Sequence, residues 1–405
     1  MKMQRILLSL GLVLCGMMLP VLASGMDPEP PALTAAVSAE LSTVPPEISA
    51  KAAILTDDAG QVLFARNADD RMPMASTTKI MTALTVLAGG GDLGRAVTVP
   101  KEAVGVEGSS VYLYEGEQLT VGQLLDAVLM ESANDAATAL AIAYAGSVDA
   151  FAAQMNHLAT EMGLRDTHFV NPHGLDHDDH YTTARELAQI ARAAMAYEDF
   201  AQTVATHKKE IPLKGNEGVR LLINHNKLLK LQEGCIGIKT GFTKRSGRCL
   251  VSACTKDGVT LYCVTLSAPD DWNDHQALYA WGFSQVERVV LTEANEQYTV
   301  LPVVGGALPD GSAPGDGVVL TAAVKNADAV SMTLPRNRSA IQKELRLPRF
   351  LYAPVTAGDV IGTAVYTLNG ELLCEVPLYA CESVPAYHKS TFWERIKAFF
   401  GKAAE

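Results

Sequence analysis

The 405-residue chain has no Cys-x-x-Cys pair, no internal repeat and no dense block of basic residues outside its last few positions. The first absence argues against a cysteine-built zinc site. The second sets aside repeat architectures. The third, with 33 Lys+Arg against 45 Asp+Glu and a formal net charge of -12, makes nucleic acid a poor partner. Aromatic residues are scarce at 6%, yet hydrophobic residues reach 48%. That balance excludes a disordered chain, a collagen-like repeat and a disulfide mini-protein. The length suits two or three domains and allows a sizeable core.

At the N-terminus Lys2 and Arg5 precede an apolar run from Ile6 to Leu22, closed by Ala23, Ser24 and Gly25. This is the layout of a secretory signal peptide over residues 1–25, with cleavage after Ala23 or Gly25. An uncleaved anchor is the alternative, although the run is only marginally long enough to span a bilayer. Residues 26–46, rich in Pro, Ala and Ser, read as a linker. Strand signals at Ala52–Leu55 and Val62–Phe64 flank an Asp-Asp-Ala-Gly turn. Helical patterns follow over Ser76–Ala88, Gln123–Ala145, Val148–Met162 and Thr183–Ala196, with Thr182 or Thr183 as a cap. Strands return at Gly237–Lys239 and Arg248–Leu266, then a helix at His275–Phe283. The order describes a sheet with a helical insertion over residues 47–291. Beyond it, short Val/Thr/Tyr runs alternate with Gly/Pro turns, including Asn369-Gly370. Residues 292–384 read as a small, separate all-β, sandwich-like domain.

Seven cysteines are present, and six remain once the signal is removed. An even count in an exported chain invites disulfides. Cys249, Cys254 and Cys263, however, lie on two strands joined by Asp257-Gly258, where Cys263 faces Ser252 and Cys254 is only diagonal to it. Direct bridging there is disfavoured, and buried free thiols are the expectation.

Three short segments carry chemistry. In Met74-Ala75-Ser76-Thr77-Thr78-Lys79, Ser76 and Lys79 share one face at a helix start. A serine hydroxyl needs a nearby base to become a nucleophile, and a lysine serves if burial or a neighbouring cation lowers its pKa. Ser132-Ala133-Asn134 offers a hydroxyl to relay a proton and a carboxamide to hold a substrate amide; taken alone it is a helix start capped by Ser132 or Asn134. Lys239-Thr240-Gly241 sits on an apparent strand that an extended peptide can join. There Lys239 and Thr240 suit a carboxylate, and Gly241 permits close backbone approach. The ordered trio Ser-x-x-Lys, Ser-x-Asn, Lys-Thr-Gly is shared by penicillin-binding proteins and class A β-lactamases.

The chain resembles the low-molecular-mass penicillin-binding proteins that are serine-type D-alanyl-D-alanine carboxypeptidases. The likeness extends to MASTTKIMTAL, ESANDAATALA, FVNPHGLDHDDHYTTARELA, GIKTGFTKRSGRCLVSA and the β-domain stretch LYAPVTAGDVIGTAVYTLNG. It implies an α/β (α+β) catalytic domain of the β-lactamase/transpeptidase type, an antiparallel sheet with a helical insertion, followed by the small all-β domain. It implies Ser76 as acyl-enzyme nucleophile, Lys79 as its base and Ser132 in the proton relay. Asn134, Lys239, Thr240, Gly241, Phe242 and Arg248 would bind substrate, with an oxyanion hole from the N–H groups of Ser76 and Phe242. Phe242 stands where the family usually has His or Tyr, a change that spares a backbone donor. The substrate would be a peptidoglycan stem peptide ending in D-Ala-D-Ala, with β-lactams as inhibitors and no cofactor.

A class A β-lactamase needs a deacylating Glu, and no Glu-x-x-x-Asn occurs between residues 130 and 205. A cross-link endopeptidase and a catalytically silent wall-binding protein compete with the carboxypeptidase. The histidine-rich stretch His173–His180 has the density of a metal site, but Ser-Lys chemistry requires none. In the tail, Thr391 and Glu394 fit a capping box. Phe392, Trp393, Ile396, Phe399, Phe400 and Ala403 then form one stripe beside Lys389, Arg395, Lys397 and Lys402. Residues 389–403 therefore read as an amphipathic helix lying on a membrane surface, holding the exported enzyme on the outer face of the cytoplasmic membrane.

Overall fold

The computed structural model describes residues 44–90, 92–213 and 218–389. The expected signal peptide, nearly all of the linker and the tail beyond Lys389 lie outside the described residues. The chain divides into two compact units that part between Glu287 and Arg288.

The first unit is built on a five-stranded antiparallel sheet in the order β2-β1-β9-β8-β7. Its strands are β1 (Ala52–Asp57), β2 (Val62–Arg66), β7 (Cys235–Thr243), β8 (Gly247–Lys256) and β9 (Val259–Leu266). Every residue of β1 is buried, which fits an interior strand covered on both faces. Asp257 and Gly258 both take positive φ, 50° and 77°, the pair a type I′ turn requires between β8 and β9. Two short ribbons, β3 (Ala96–Thr98) with β4 (Gln118–Thr120) and β5 (Lys208–Pro212) with β6 (Val219–Ile223), lie outside the main sheet.

The inserted helices are α1 (Lys79–Ala88), α2 (Val121–Met130), α3 (Asn134–Ala145), α4 (Val148–Glu161), α5 (Ala184–Met195), α6 (Glu198–Ala205) and the short α7 (Leu228–Leu231). α5 packs on β1 and β9, α1 packs on α5, and one apolar cluster runs from the sheet through α1 to α6. Thr183 caps α5 by accepting the Glu186 N–H. The closing helix α8 (Asp271–Gln285) covers the opposite face, with Leu278 and Tyr279 against Leu55, Leu261, Cys254 and Cys263.

Two expectations change. Gln123–Ala145 is not one helical stretch. α2 ends at Met130, Ser132 takes φ 59°, and α3 starts afresh at Asn134. Neither Ser132 nor Asn134 caps α3: the cap position is Ala133, with no side-chain bond. The β5–β6 hairpin and α6 carry weak signals, because β5 presents mostly charged, exposed residues.

The second unit is all-β. It holds β10 (Val286–Thr292, which enters from the first unit), β11 (Gln297–Val304), β12 (Leu320–Lys325), β13 (Val330–Pro335), β14 (Gln342–Arg346), β15 (Leu351–Tyr352), β16 (Val360–Leu368) and β17 (Glu371–Ala380). Six strands form one sheet in the order β14-β16-β17-β12-β11-β15, and β10 pairs with β13. Asn369 and Gly370, at φ 54° and 84°, make the β16–β17 turn that their sequence calls for. Among the described residues no single helix is long and apolar enough to cross a membrane.

α8 is tied to the sheet by polar groups as well as apolar ones. His275 is fully buried, with Nδ1 2.7 Å from Ser252 Oγ on β8 and Nε2 2.9 Å from Thr265 Oγ1 on β9. Ser252 Oγ also meets Tyr279 OH at 2.7 Å. Burial lowers the His275 pKa to about 3, so the ring is neutral in the fold. Replacing His275 with Leu strands the Thr265 hydroxyl and costs about 1–3 kcal/mol at neutral pH. The sign with pH follows from linkage. Below about 6.5 the unfolded histidine takes a proton that the folded one refuses, so wild-type stability falls as pH drops. The gap between wild type and His275→Leu in urea denaturation therefore narrows by about 1.4 kcal/mol per pH unit below 6.5. A gap that is constant between pH 7 and 5 would contradict a neutral buried ring.

Candidate active site

The residues before α1 form a 3₁₀ turn, Ala75–Thr78. In that geometry positions i and i+3 eclipse one another, so Ser76 lies directly over Lys79. This sharpens the expectation of a shared helix face. Ala75 enters the turn at φ 49°, a conformation strained for a residue with a side chain.

Lys79 is wholly buried. Its Nζ lies 2.9 Å from Ser76 Oγ, 2.7 Å from Asn134 Oδ1 and 2.6 Å from the His173 backbone oxygen. Burial, reinforced by the positive charge of Lys239, holds its pKa well below the usual lysine range, with Asp135 opposing. Lys239 is equally buried; burial lowers its pKa to about 7, with Glu131 opposing. Its Nζ donates to Thr240 O at 3.0 Å.

Asn134 reaches Lys79 because its carboxamide is held at both ends. Its Nδ2 donates to Glu107 O at 2.5 Å, while Oδ1 accepts from Lys79. This is why Asn134 does not cap its helix. The next residue, Asp135, is buried and accepts from Ser110 Oγ at 2.6 Å and Leu113 N at 3.0 Å. It fixes the 107–113 loop against the start of α3.

The histidine-rich stretch is scaffolding. Asn171 Oδ1 accepts from Gly174 N at 2.7 Å, and its Nδ2 donates to Leu175 O at 2.9 Å. Thr82 Oγ1 donates to Pro172 O at 2.6 Å. These bonds turn the His173 carbonyl toward Lys79. Gly174 sits at φ 88°, and a Cβ there would collide with Ala75 O. His180 accepts the Val170 N–H on Nδ1 at 3.0 Å, so its proton lies on Nε2, 2.8 Å from Thr78 Oγ1. Burial lowers its pKa to about 4.

Ser76 and Ser132 open onto one cleft of about 350 Å³, together with Thr240, Gly241, Phe242 and Arg248. Ser109, His225, Lys227, Asp271 and Trp272 complete its lining. The backbone of β7 lies so close to the nucleophile turn that a Cβ on Gly241 would sit 3.0 Å from Ser76 N. Arg248, opposite Phe242 in the β7–β8 register, is not free: its Nε and Nη2 lie 2.9 and 2.8 Å from Asp271 Oδ1, and it stands over the Trp272 ring. Six of the nine expected residues line this cleft; Lys79 lies behind it, bonded to Ser76 and Asn134, and Lys239 is bonded to the Thr240 carbonyl. The His173 carbonyl, Asp135 and Asp271 had no motif to mark them. The Asn-Pro-His-Gly turn was the one local sign of the first.

Two family models match the chain. One, described as D-alanyl-D-alanine carboxypeptidase, covers residues 39–270. The other, described as the penicillin-binding protein 5 C-terminal domain, covers residues 315–386. The D-alanyl-D-alanine carboxypeptidase DacF of Bacillus subtilis (strain 168) is 30% identical over 85% of this chain and 88% of its own length. DacC of Escherichia coli (strain K12), of the same description, is 34% identical over 86% and 88%. The crystal structure of penicillin binding protein 5 from Haemophilus influenzae matches with a TM-score of 0.64 at 27% identity, over 85% of this chain and 100% of that one. Fold, motif order and relatives agree that this chain belongs to the D-alanyl-D-alanine carboxypeptidase family.

Proposed function

We propose that the chain is an exported serine-type carboxypeptidase that removes the terminal D-alanine from peptidoglycan stem peptides through an ester on Ser76. The observation that carries this is the buried Lys79 amine 2.9 Å from Ser76 Oγ. A neutral amine has two N–H groups and one lone pair. Asn134 Oδ1 and the His173 carbonyl accept the two N–H groups, which leaves the lone pair for the Ser76 hydroxyl proton. Ser76 Oγ then attacks the carbonyl between the two D-alanines. The N–H groups of Ser76 and Phe242 take the developing oxyanion, a role supported by the tight approach of Gly241 to Ser76. Lys79 and Ser132 return the proton to the departing amine. Water then hydrolyses the ester. β7 is an edge of the sheet and suits pairing with an extended peptide. Lys239, Thr240 and Arg248 hold the terminal carboxylate. β-Lactams acylate the same serine by occupying the same position. The basic amphipathic tail attaches the enzyme to the membrane surface.

Purified residues 26–387 are expected to release D-alanine from a peptide ending in D-Ala-D-Ala, and the Ser76→Ala variant to lose release by at least about 10³-fold. Penicillin labelling without release would point instead to a cross-link endopeptidase. Loss of both would support a silent wall-binding protein.

The two lysines set a bell-shaped kcat/KM profile. Lys79 must be neutral, which gives the acid limb. Lys239 must be charged to hold a carboxylate, and its charge in the free protein fades above about pH 7, which gives the alkaline limb. Lys239→Arg stays charged, so its alkaline limb moves up by more than a pH unit, with a lower maximum because the wider guanidinium fits the site poorly. An unmoved limb would assign it to another group.

The tail has its own test. Full-length protein is expected to sediment with vesicles containing anionic lipid, and a version ending at Tyr387 to remain in the supernatant. Equal sedimentation of both would remove the tail from the attachment.

A further inference from the structure

Among the described residues six cysteines are free, and their placement on the sheet is unequal. Cys249 lies opposite Gly241, Cys263 opposite Ser252 and Cys374 opposite Tyr366. Cys235 lies opposite Cys254, at the start of β7 and near the end of β8. The type of pairing matters here. The Thr255 N–H donates to Gly234 O at 2.8 Å. The ladder bond therefore flanks the two cysteines rather than joining them, which makes them a non-hydrogen-bonded pair. Such pairs bring their Cα atoms to about 4.5 Å and their side chains closest together, inside the span of about 4.4–6.8 Å that a disulfide bridges. Cys254 and Cys263, by contrast, are diagonal neighbours, about 7–8 Å apart and beyond bridging distance. Cys254 is buried and Cys235 half-exposed, so an external oxidant has one point of entry.

We propose that Cys235 and Cys254 form a thiol-oxidation site that closes to a cross-strand disulfide in the exported protein, pinning the end of β7 that leads to Lys239, Thr240 and Gly241. The co-reactant is a small or protein disulfide. The Cys235 thiolate attacks one of its sulfurs, breaks that S–S bond and releases one thiolate. Cys254 then attacks the Cys235 sulfur of the mixed disulfide, gives up its proton and releases the second thiolate. In net terms the co-reactant disulfide gains two electrons and two protons and leaves as two thiols, while the protein gains one S–S bond.

The experiment uses the full chain after signal removal, treated with oxidised glutathione, then alkylated in denaturant and digested with trypsin. Cleavage after Lys230, Lys239, Arg248 and Lys256 places Cys235 in peptide 231–239 and Cys254 in peptide 249–256. The expected product is those two peptides joined, with two alkylatable thiols lost per chain. The link persists in Cys249→Ser and vanishes in Cys254→Ser, each checked for a cooperative thermal transition. Oxidation is expected to raise the unfolding midpoint by roughly 5 °C. The proposal is overturned if glutathione stays on Cys235 as a mixed disulfide, if Cys254 remains alkylatable, if the link survives Cys254→Ser, or if the midpoint falls on oxidation. None of these readouts depends on catalysis, so the outcome is independent of the carboxypeptidase activity.

Discussion

The constraint on which the site rests is an amine placed where water does not reach it. Burying an ammonium costs several kcal/mol even after relaxation, and no carboxylate among its bonded partners offsets that cost for Lys79: they are a hydroxyl, a carboxamide oxygen and a backbone carbonyl. The cheaper state is the free base. Lys239 pushes the same way from the neighbouring strand. Because its own pKa is lowered only to about 7, Lys239 keeps its charge to a higher pH than Lys79 does. Two like groups are thus set apart by environment alone, the pattern by which one site can offer both a proton acceptor and a fixed charge.

The rest of the first unit can be read as what keeps that amine in place. Asn134 faces inward because Glu107 O and the buried Asp135 hold the loop beside it. The His173 carbonyl faces inward because Asn171, Thr82 and Gly174 leave it no other direction. His180, neutral through burial, hangs the same loop from Thr78 in the nucleophile turn. Apart from those to the Asp135 carboxylate, these are hydrogen bonds between neutral groups of ordinary strength, about 1 kcal/mol net each. Their value lies in direction: they fix which atoms the two N–H groups of a neutral lysine meet, and therefore where its lone pair points.

How much of this was legible follows from what each signal depends on. Hairpins were readable where φ > 0 is compulsory, at Asp257-Gly258 and Asn369-Gly370, because few residues tolerate that conformation. The central strands were readable from unbroken apolar runs. The break between α2 and α3 was not, since an Ala-rich helical pattern continues across it and the interruption comes from tertiary demands on Ser132 and Asn134. Seven of the nine expected site residues lay in three short motifs legible from residue type and spacing, and Phe242 and Arg248 followed from the resemblance alone. The His173 contribution was invisible in kind: a backbone carbonyl has no residue identity, and the histidine ring that drew attention to the stretch is not the group that reaches Lys79. Asp271 was missed for a related reason, because its effect on the cleft is exerted through Arg248.

Backbone strain falls at the same places. Ala75, just before Ser76, and Ser132, which lines the same cleft, both hold positive φ without being glycine. Such residues cost of order 1 kcal/mol or more and persist only when their surroundings over-determine them. Ala75 is held from outside by Gly174, whose missing side chain lets the loop rest on the Ala75 carbonyl, and from beneath by Thr78 Oγ1, which donates to that same carbonyl at 2.8 Å. The loop that presents His173 to Lys79 is therefore also the loop that keeps Ser76 in its turn. Ser76, Lys79 and the His173 carbonyl are fixed by one set of contacts, so a displacement of any one moves the other two with it.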